Sequence, residues 1–518
     1  MPTQTPSPHL PADSALLSSP LARGPGALPR QRQLIQRLKQ AILAGQLPAG
    51  GKLPSSRALS EELAISRNTV LIAYEQLTAE GYVIADRQGT RVAPLSAPLS
   101  APLSLPLSAP LSAPLPTASQ PSANRAAQRA LPPAPATATR LSRIVATRAP
   151  SDSSLPMTPG TPALTQFPLN AWRRAQDRAL HAAPATTLGY GHPIGEPALR
   201  EAIAQYLRVS RGVHCDASRI IITEGAQGAL ALCVQLLTNP GDTAWLEDPG
   251  YRGAKSAFHG GDLNVVAMRV DADGIVIPED AWHTQPPRLI QTTPTHQYPT
   301  GAVLSVARRL DLLERARRAG AWIIEDDYDS EFRHQGEPIA AMQGLVPDAP
   351  VLYVGTFSKT LFPALRLGFL VLPEALAQTA LPSIVEMLRG GHRLEQLTLA
   401  AFIDNGQFSR HLGRMRRLYR DRQAALREAL ATHLRVDHEV LGGHSGLHLT
   451  VRLPPDIPDQ AIVAQARLVG MNPSALSSFA MVPRPEDNGL VIGYGNTSAD
   501  HFPTMIKRLG DFARQARR

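Results

Sequence analysis

The sequence predicts a multidomain protein in which an N-terminal winged helix-turn-helix is followed by a linker and a large α/β domain. Residues 29–93 show three short helical patterns and a hairpin pattern, and residues 94–150 open with a proline at every fourth position. Residues 151–518 alternate helix-like and strand-like runs, which is typical of a largely parallel sheet covered by helices. Residues 1–28 are rich in Pro, Ser and Ala and are predicted to be disordered.

The net charge of +9 is concentrated at the front of the chain. Residues 1–93 hold ten Lys/Arg and six Asp/Glu, and residues 94–150 hold five Arg and no acid. In residues 151–518 the basic and acidic residues cancel. The basic front predicts nucleic acid, here double-stranded DNA, as the acidic partner.

The composition also excludes several classes of protein. The two cysteines, Cys215 and Cys233, form no CxxC pair, so neither a disulfide framework nor a metal site is predicted. No apolar run is long enough to span a membrane, and the N-terminus lacks the pattern of a signal peptide. We therefore expect a cytoplasmic protein with no membrane partner.

The front domain is predicted from three amphipathic helices. The first begins near Arg30 and ends at Gly45. Pro54-Ser55-Ser56 opens the second helix, with a serine as its N-cap. Ser66 can cap the third helix, Arg67–Glu80. The inward side of this third helix is predicted to be Val70, Ala73, Tyr74 and Leu77.

A hairpin follows the third helix and completes a winged helix-turn-helix. Its strands are Tyr82-Val83-Ile84 and Thr90-Arg91-Val92. In this arrangement the third helix enters the major groove with its N-terminal residues facing the base edges. Those residues are rich in hydrogen-bond donors here, and Arg57 on the second helix would reach the DNA backbone. The predicted DNA-binding residues are Arg57, Ser66, Arg67, Asn68 and Thr69.

The run LPSSRALSEELAISRNTVLIAYEQLTAEGY closely resembles the GntR-type DNA-binding pattern. The similarity extends from about Arg30 to Ala93. In that family the positions matching Arg57, Arg67, Asn68 and Thr69 are typical DNA contacts. The resemblance therefore implies an operator-binding domain.

The linker begins with the repeat APLSAPLSAPLSLPLSAPLSAPLP. A proline at every fourth position blocks helix and central strand, so coil or polyproline-II is predicted and ordered secondary structure is not. If extended, Pro94–Pro116 would span roughly 70 Å, at about 3.1 Å per residue.

The most informative stretch of the α/β domain is VLYVGTFSKTLFPALRLGFLVLP, Val351–Pro373. An apolar strand, Val351–Gly355, ends in the turn Thr356-Phe357-Ser358. Lys359 follows this turn directly, and Arg366 comes seven residues later. Only five lysines occur in the chain, so surface charge does not depend on lysine. A lysine flanked by hydroxyls and followed by an arginine can form a Schiff base with an aldehyde while its neighbours hold a phosphate.

This stretch resembles the lysine segment of fold type I aminotransferases, which binds pyridoxal 5'-phosphate (PLP). The similarity runs from about Pro156 to the C-terminus. Together with EDDYDSEFR and TPTHQYPTG, it looks most like the MocR/GabR-type regulators, which place a GntR-type domain before an aminotransferase-like core. The resemblance implies a fold type I core that binds PLP through a Schiff base on Lys359.

A glycine-containing turn is the predicted phosphate site. Ile220–Thr223 reads as a strand, Glu224–Gly228 as a turn, and a helix is predicted from Ala229. A turn before a helix presents free amide groups to an anion. By the resemblance, the residues that hold the phosphate are Gly225, Ala226, Gln227, Thr356, Ser358 and Arg366.

The ring of the cofactor is assigned to the ends of two further strands. The residue matching Tyr251 stacks on the ring in the family. A buried strand delivers four acids that are costly to desolvate together without a cation, Glu325, Asp326, Asp327 and Asp329. The resemblance implies that Asp326 pairs with the protonated pyridine nitrogen and that Tyr328 bonds the ring oxygen. Asp327 remains the alternative to Asp326, because adjacent strand residues point to opposite faces.

Two positions depart from the catalytic pattern. Tyr298 precedes Pro299 where catalytic aminotransferases carry asparagine, so a hydrogen bond to the ring oxygen is missing or supplied by another group. The effector carboxylate is assigned to Arg484, before the C-terminal strand Leu490–Tyr494, with a solvated loop arginine as the equal alternative. These departures predict a regulator rather than an efficient enzyme, with a residual transamination half-reaction left open.

The sequence therefore predicts a PLP-dependent DNA-binding transcriptional regulator whose core senses PLP or an amine or amino-acid effector. One alternative is an active PLP-dependent aminotransferase with a DNA-binding appendage. Another is a DNA-binding protein whose core only dimerises. Because two subunits usually build each fold type I site, a homodimer is expected, and two heads suit an operator with two half-sites.

Overall fold

The structure is a computed structural model that describes residues 21–22, 28–86, 89–94, 138–144, 154–334 and 339–517. The predictions of a disordered N-terminus and of a coil in the proline repeat lie almost entirely outside the described residues. Leu21 is an exception, because it is 5% exposed and belongs to a hydrophobic cluster with residues 34–92, so the predicted disorder is wrong at that position. Among the helices in these ranges, none is long and apolar enough to cross a membrane.

The head, residues 28–94, contains the three predicted helices: α1 Arg30–Leu43, α2 Ser56–Glu62 and α3 Arg67–Ala79. The Ser55 Oγ accepts a hydrogen bond from the Ala58 amide, and Ser66 Oγ accepts one from the Thr69 amide, each at 3.1 Å. Serine caps of this kind satisfy donors that the first helical turn leaves open. The inward-facing residues of α3 are buried as predicted, namely Val70, Ala73, Tyr74 and Leu77.

The wing is a two-stranded antiparallel hairpin that follows α3. Its strands are β1 Val83–Asp86 and β2 Gly89–Val92, with Val83 opposite Val92. Tyr82, Val83 and Val92 are buried against the helices, so the hairpin and the three helices share one small core.

A short part of the linker that follows the proline repeat is ordered. Thr139–Arg143 forms a single turn of 3-10 helix, in which Ser142 Oγ donates to the Thr139 carbonyl at 2.7 Å. Arg143 forms an ion pair with Asp262 at 2.8 Å. A turn this short needs only local hydrogen bonds, and the ion pair fastens it to the core.

The core domain is built on eight strands, β3 Ile220–Thr223, β4 Thr243–Asp248, β5 Asn264–Asp271, β6 Gly274–Ile275, β7 Leu289–Thr292, β8 Trp322–Asp327, β9 Val351–Thr356 and β10 Gly368–Val371. They form one sheet in the order β3-β10-β9-β8-β7-β4-β5-β6. The central run from β5 to β9 is parallel, as predicted, whereas β10 runs antiparallel to β9 and to β3, and β6 antiparallel to β5. The sheet is therefore mixed.

Helices surround this sheet and continue to the C-terminus. They are α4 Leu169–Ala182, α5 Pro197–Ser210, α6 Gly225–Leu237, α7 Arg252–Gly260, α8 Ala281–Thr284, α9 Val306–Ala319, α10 Glu374–Met387, α11 Arg393–Asp404, α12 Gln407–His433, α13 Asp459–Leu468 and α14 Phe502–Ala516. The sequence predicted α6 from Ala229, but it begins at Gly225, where a positive φ of 66° turns the chain directly from β3 into the helix. The GAQG run is therefore the first helical turn.

A second, smaller sheet lies in the C-terminal region. Its strands are β11 Glu439–Leu441, β12 His448–Arg452, β13 Ser474–Ala475 and β14 Gly489–Gly493, all antiparallel in the order β11-β12-β14-β13. Buried side chains of β12, β14, α12 and α14 join the same hydrophobic cluster as residues of β9 and β10. Because the two sheets share that cluster, the small sheet is held against the lysine-bearing segment.

The head packs directly on the core at the start of α9. Val306 is 3% exposed and belongs to the hydrophobic cluster of the head. A β-carbon placed on Gly81 would lie 3.2 Å from the Val306 amide nitrogen. We call this the head–core contact; it consists of Glu80, Gly81 and Tyr82 of the head and of Val306, Arg309 and Arg333 of the core.

Candidate functional site

A cavity of about 300 Å³ lies where the parallel strands end. The C-terminal ends of β4, β7, β8 and β9 meet at one edge of the sheet, which is where ligands bind in open α/β sheets. Most of the predicted cofactor residues line this cavity, which brings together Ala226, Gln227, Tyr251, Asp326, Tyr328, Thr356, Ser358, Lys359 and Arg366.

The four acids at the end of β8 separate into different environments. Glu325 accepts hydrogen bonds from the Met342 and Gln343 amides at 2.9 and 3.1 Å. Asp327 forms an ion pair with Arg211 at 2.6 Å and accepts from the Tyr353 hydroxyl at 2.5 Å.

Asp326 is the acid that faces the cavity. It is 4% exposed, and its Oδ1 has no hydrogen-bond partner among the described residues. Burial, followed by repulsion from Asp327 and Glu247, raises the pKa of Asp326 to about 7, and Lys359 opposes this rise. A buried carboxylate of this kind lacks a cation. Of the two candidates left open by the sequence, Asp326 rather than Asp327 is thus placed for a pyridine nitrogen.

Lys359 enters the cavity from the turn after β9. Burial lowers the pKa of the Lys359 amine from its ordinary value, while Asp329 and Asp326 act in the opposite direction. A lower pKa increases the fraction of neutral amine, which is the form that attacks a carbonyl. The position and the electrostatics of Lys359 therefore suit Schiff-base formation.

The phosphate side of the cavity combines a helix N-terminus, two hydroxyls and a guanidinium. Ala226 and Gln227 lie in the first turn of α6, where backbone amide groups lack helical partners. The Arg366 guanidinium lies close to this helix end, since a β-carbon built on Gly225 would be 3.7 Å from it. The Arg366 Nη2 donates to the Glu224 carbonyl at 3.2 Å.

The hydroxyls of Thr356 and Ser358 lie beside the helix end. The Thr356 Oγ1 is 3.1 Å from the Ser358 Oγ and accepts a hydrogen bond from the Ser358 amide at 3.2 Å. This turn holds both hydroxyls on the same wall of the cavity as Arg366. Together these groups suit a phosphate dianion.

Three tyrosines form the aromatic wall. The ring centroids of Tyr251 and Tyr298 are 6.3 Å apart, and those of Tyr298 and Tyr328 are 5.8 Å apart. Burial and the nearby Asp326 charge raise the pKa of Tyr251 to about 12, and burial raises the pKa of Tyr328 further. Both phenols therefore stay protonated at neutral pH and can donate hydrogen bonds.

Sequence reasoning missed part of the wall. Pro159, Gly160, Thr293 and Pro363 also line the cavity, beside Tyr298, which the sequence had marked only as a departure from the catalytic pattern. Gly160 has a positive φ of 71°, and a β-carbon there would lie 3.1 Å from Lys359 Nζ, so both the backbone and the space favour glycine. Residue 160 is about 200 positions before Lys359, and no local pattern marks it. Only its place near the start of the predicted core could have drawn attention to it.

Arg484 does not line the Lys359 cavity. Its guanidinium pairs with Asp248 at 3.1 Å and with Asp487 at 3.4 Å. It lines a separate cavity of about 570 Å³ that also touches Ala79 of the head. Burial of Asp248, which is 0% exposed, requires this cation, so Arg484 has a structural partner that the sequence did not indicate.

Behind Tyr328 lies a buried cluster with the chemistry of metal ligands. Atoms of His296, Asp329 and His448 lie within 4.8 Å of one another. Both Asp329 oxygens are 3.0–3.1 Å from His296 Nδ1, and His448 Nε2 is 2.9 Å from the Pro299 carbonyl. These contacts occupy one ring nitrogen of each histidine, whereas His296 Nε2 and His448 Nδ1 are buried and have no hydrogen-bond partner among the described residues. The sequence had not singled out this cluster.

The residues present in the cavity fit PLP. The unpartnered Asp326 oxygen suits a protonated ring nitrogen, the helix end with Arg366 suits the phosphate, and Lys359 suits the aldehyde. When bound, PLP supplies an aldehyde that condenses with amines and a ring that withdraws electrons. The chain itself would supply Asp326 as the carboxylate for a cationic ring nitrogen, and Tyr251 and Tyr328 as phenols in the cavity wall.

The predicted DNA-binding residues lie together on the head. Arg67 and Asn68 are exposed in the first turn of α3, and Arg67 Nε donates to Ser56 Oγ at 3.2 Å. Ser66 and Thr69 share a hydrogen bond at 2.8 Å between their hydroxyls, which serves the helix cap. Arg57 is 81% exposed and pairs with Glu61. Arg57, Arg67 and Asn68 are therefore the side chains most available to DNA.

Comparisons with known proteins match both domains. The family of bacterial regulatory proteins, gntR family, matches residues 30–92, and the family aminotransferase class I and II matches residues 159–477. Among solved structures, kynurenine aminotransferase from Pyrococcus horikoshii, in complex with PMP, has a TM-score of 0.64 and 25% identity. The alignment covers 70% of this chain and 92% of that one.

Curated relatives share the whole arrangement. The probable rhizopine catabolism regulatory protein MocR of Rhizobium meliloti is 37% identical over 90% of this chain and 90% of its own length. The pyridoxine biosynthesis transcriptional regulator PdxR of Corynebacterium glutamicum is 30% identical over 92% of this chain and 95% of its own length. The chain therefore belongs to the MocR-type family of DNA-binding transcriptional regulators, which join a GntR-type winged helix to an aminotransferase domain of the PLP-binding class.

Proposed function

We propose that this regulator is a cytoplasmic homodimer that binds an operator through its two heads and changes its operator affinity when PLP, or an amine or amino acid reacting at Lys359, occupies the core. The observation that carries the proposal is the course of one short segment. Asp326–Arg333 begins in the cofactor cavity and ends at the head–core contact.

This segment joins the two sites covalently. Asp326 and Tyr328 line the cavity, and Arg333 follows five residues after Tyr328. Arg333 is 8% exposed, and the Glu80 charge of the head partly offsets the lowering of its pKa by burial. A change in the position of the carboxylate or phenol on ligand binding therefore has a short path to the head.

The head side of the contact carries its own ion pair. Glu80 is 3% exposed and forms an ion pair with Lys39 at 2.5 Å. Arg309 is buried beneath Tyr82 and donates to three core carbonyls at 2.7–2.9 Å. The proposal requires a second arrangement in which this contact is unpacked, and a ligand can bias the two arrangements only through its difference in affinity for them.

Exposed apolar residues on the core support the homodimer. The side chains of Leu188 and Tyr190 are 82% and 94% exposed. Arg393 fixes their segment by donating to the Thr187 and Gly189 carbonyls at 2.9 and 3.0 Å. A rigid, exposed apolar segment marks a protein interface. Leu188→Asp should therefore give monomers in sedimentation velocity, whereas Val209→Asp, on another exposed apolar residue, should leave a dimer.

The chemistry of the cavity limits the effector. Arg366, assigned to the phosphate, is the one arginine among the described residues that line the cavity. An effector carboxylate would therefore need a group from elsewhere, and PLP itself or an amine is the better fit. The lowered pKa of the Lys359 amine also keeps an aminotransferase half-reaction open as a second candidate function.

The test is operator affinity by fluorescence anisotropy, with and without PLP, for wild type and Lys359→Ala. We expect PLP to change the wild-type affinity by about 5- to 150-fold, the range usual for coupled sites. Lys359→Ala should bind operator as the PLP-free wild type does and should not respond. A variant that responds like wild type would contradict the proposal. Steady turnover of an amino-acid/keto-acid pair would favour the aminotransferase instead.

A further inference from the structure

The buried cluster behind Tyr328 bears on the missing asparagine. Tyr298 occupies the position from which asparagine bonds the ring oxygen in catalytic aminotransferases, so Tyr328 faces that oxygen without its usual companion. The Tyr328 hydroxyl lies 3.0 Å from His296 Nδ1; His296 is buried, and Tyr328 is half-buried at the cavity wall. His296, two positions before Tyr298, thus contacts the Tyr328 phenol from the side away from the cavity.

His296 is itself held by Asp329. The Asp329 oxygens lie 3.0 and 3.1 Å from the same Nδ1, and the two side chains are 2% and 1% exposed. Burial raises the pKa of Asp329, and His296 is the largest influence that lowers it. An ionised carboxylate can only accept hydrogen bonds, so it fixes the proton on Nδ1.

This proton decides what Tyr328 can do. With a hydrogen on Nδ1, the nitrogen has no lone pair there to accept the Tyr328 hydroxyl. Because that N–H is held by Asp329, the phenol shares it at most as a second, weaker acceptor, and it keeps its own proton free for the cavity. If Nδ1 were bare, the phenol would donate backwards to it and could only accept from a ligand.

We propose that His296 and Asp329 form a positioning dyad that turns the Tyr328 hydroxyl toward the ring oxygen of PLP and so supplies the orientation that the missing asparagine would give. The inference rests on PLP lying in this cavity. The dyad contacts Tyr328 rather than the cofactor, so both residues act through the phenol. It also explains why a histidine and an aspartate are buried side by side next to a cofactor site.

Other charged and titratable groups face the dyad from the packed elements around it. They are Asp326, Asp327, Lys359, His334, His444, His448 and Tyr494. His448 is the closest match to His296, since their ring centroids are 5.0 Å apart and both are buried. Its Nε2 bonds the Pro299 carbonyl rather than Tyr328, which makes His448→Gln a control for disturbance of the cluster.

The test is a pH titration of the visible absorption band of the full-length, PLP-loaded protein. A hydrogen-bond donor to the ring oxygen stabilises the negative charge on that oxygen and so weakens its attraction for the nearby Schiff-base proton. Loss of the donor therefore raises the pKa of the Schiff base and moves the midpoint of the titration upward. Tyr328→Phe should raise the midpoint by about one pH unit, and His296→Gln and Asp329→Asn should each raise it by a substantial part of that. His448→Gln should leave it near the wild-type value.

A double variant separates positioning from general damage. If His296 acts through the phenol, His296→Gln added to Tyr328→Phe should cause no further shift. An additive shift, or an unchanged midpoint in both His296→Gln and Asp329→Asn, would overturn the dyad while leaving PLP binding intact. A wild-type protein without a visible band would overturn PLP binding and the dyad together.

Discussion

The DNA-binding face of the head and the cofactor cavity of the core are built in opposite ways. The face occupies one stretch, Ser55–Thr69, and its arginines are exposed. The cavity draws its wall from segments between Pro159 and Arg366, more than 200 positions apart; its carboxylate is buried and its lysine is half-buried. The first site depends on local helix geometry, whereas the second depends on several strands meeting at one edge.

This difference teaches that the two activities should be separable by mutation. A substitution on the DNA-binding face of the head alters contacts to DNA without disturbing the hydrophobic core of the head, because the side chains of this face are exposed. A change in the cavity alters electrostatics in a buried environment, where charge is costly. Only the head–core contact should affect communication between the two.

The largest expected effect concerns covalent attachment. Borohydride reduction of the PLP-loaded protein, followed by peptide mapping, should place the pyridoxyl group on Lys359, because its amine lies in the cavity with a lowered pKa. Lys359→Ala should remove the label entirely, and Lys507→Ala, on an exposed lysine of α14, should retain it. A label on Lys255 would refute the assignment.

The second largest effect is expected from a substitution on the DNA-binding face of the head. If Arg67 meets a base edge, Arg67→Ala should weaken operator binding by about 1–3 kcal/mol and leave the visible band unchanged. If it meets only phosphate, the loss should be equal on all sequences and the salt slope should fall by about one. Arg173→Ala, an exposed arginine of α4, is the control. Anisotropy titrations at several salt concentrations distinguish these outcomes, and no change on any DNA would remove Arg67 from the interface.

A smaller effect is expected from the buried carboxylate in the PLP-free protein. The folded pKa of Asp326 is raised from 3.8 to about 7. Between these values the folded state binds more protons than the unfolded state, so this group makes stability fall as pH rises from about 4 to 7. Asp326→Asn should therefore raise the Tm at pH 8 by about 2 °C or more, with a smaller gain at pH 5.

Thermal unfolding of the PLP-free wild type and variant at both pH values measures this gain. Asp421→Asn, on an exposed residue of α12, should show no such difference. The same Asp326 variant should hold PLP more weakly, because the ring nitrogen loses its anion. A Tm gain without weaker PLP binding would mean that Asp326 is buried for another reason.

The smallest effect should come from the head–core contact. Val306→Asp places a charge against the head, while an acid in the first turn of α9 is favourable for the helix itself. Operator binding without ligand and the visible band should stay near wild type, and the PLP-induced change in affinity should shrink several-fold. Ala375→Asp adds the same charge to the exposed first turn of α10 and should leave the response intact. An unchanged response in Val306→Asp would move the coupling to another surface.

Much of the fold was predictable because its signals are short-range. Ser55 and Ser66 cap helices whose donors lie three residues ahead, so sequence spacing alone places them. The apolar strands that end at Asp327 and Thr356 were predicted from their composition, and comparison with relatives confirmed the two domains. The predicted beginning of α6 was wrong by four residues, since the positive φ of Gly225 allows the helix to start earlier.

The sequence by itself determined the two domains, the helix caps, the strand ends and the lysine segment, since each depends on residues close together in the chain. Only the tertiary structure decided which buried acid is partnered. Asp327 finds Arg211, Asp248 finds Arg484 and Asp329 finds His296, while Asp326 is left for the cavity. The physical reason is that a buried charge is stable only beside a partner, because its desolvation is costly. The tertiary fold, and not spacing along the sequence, brings that partner within 4 Å.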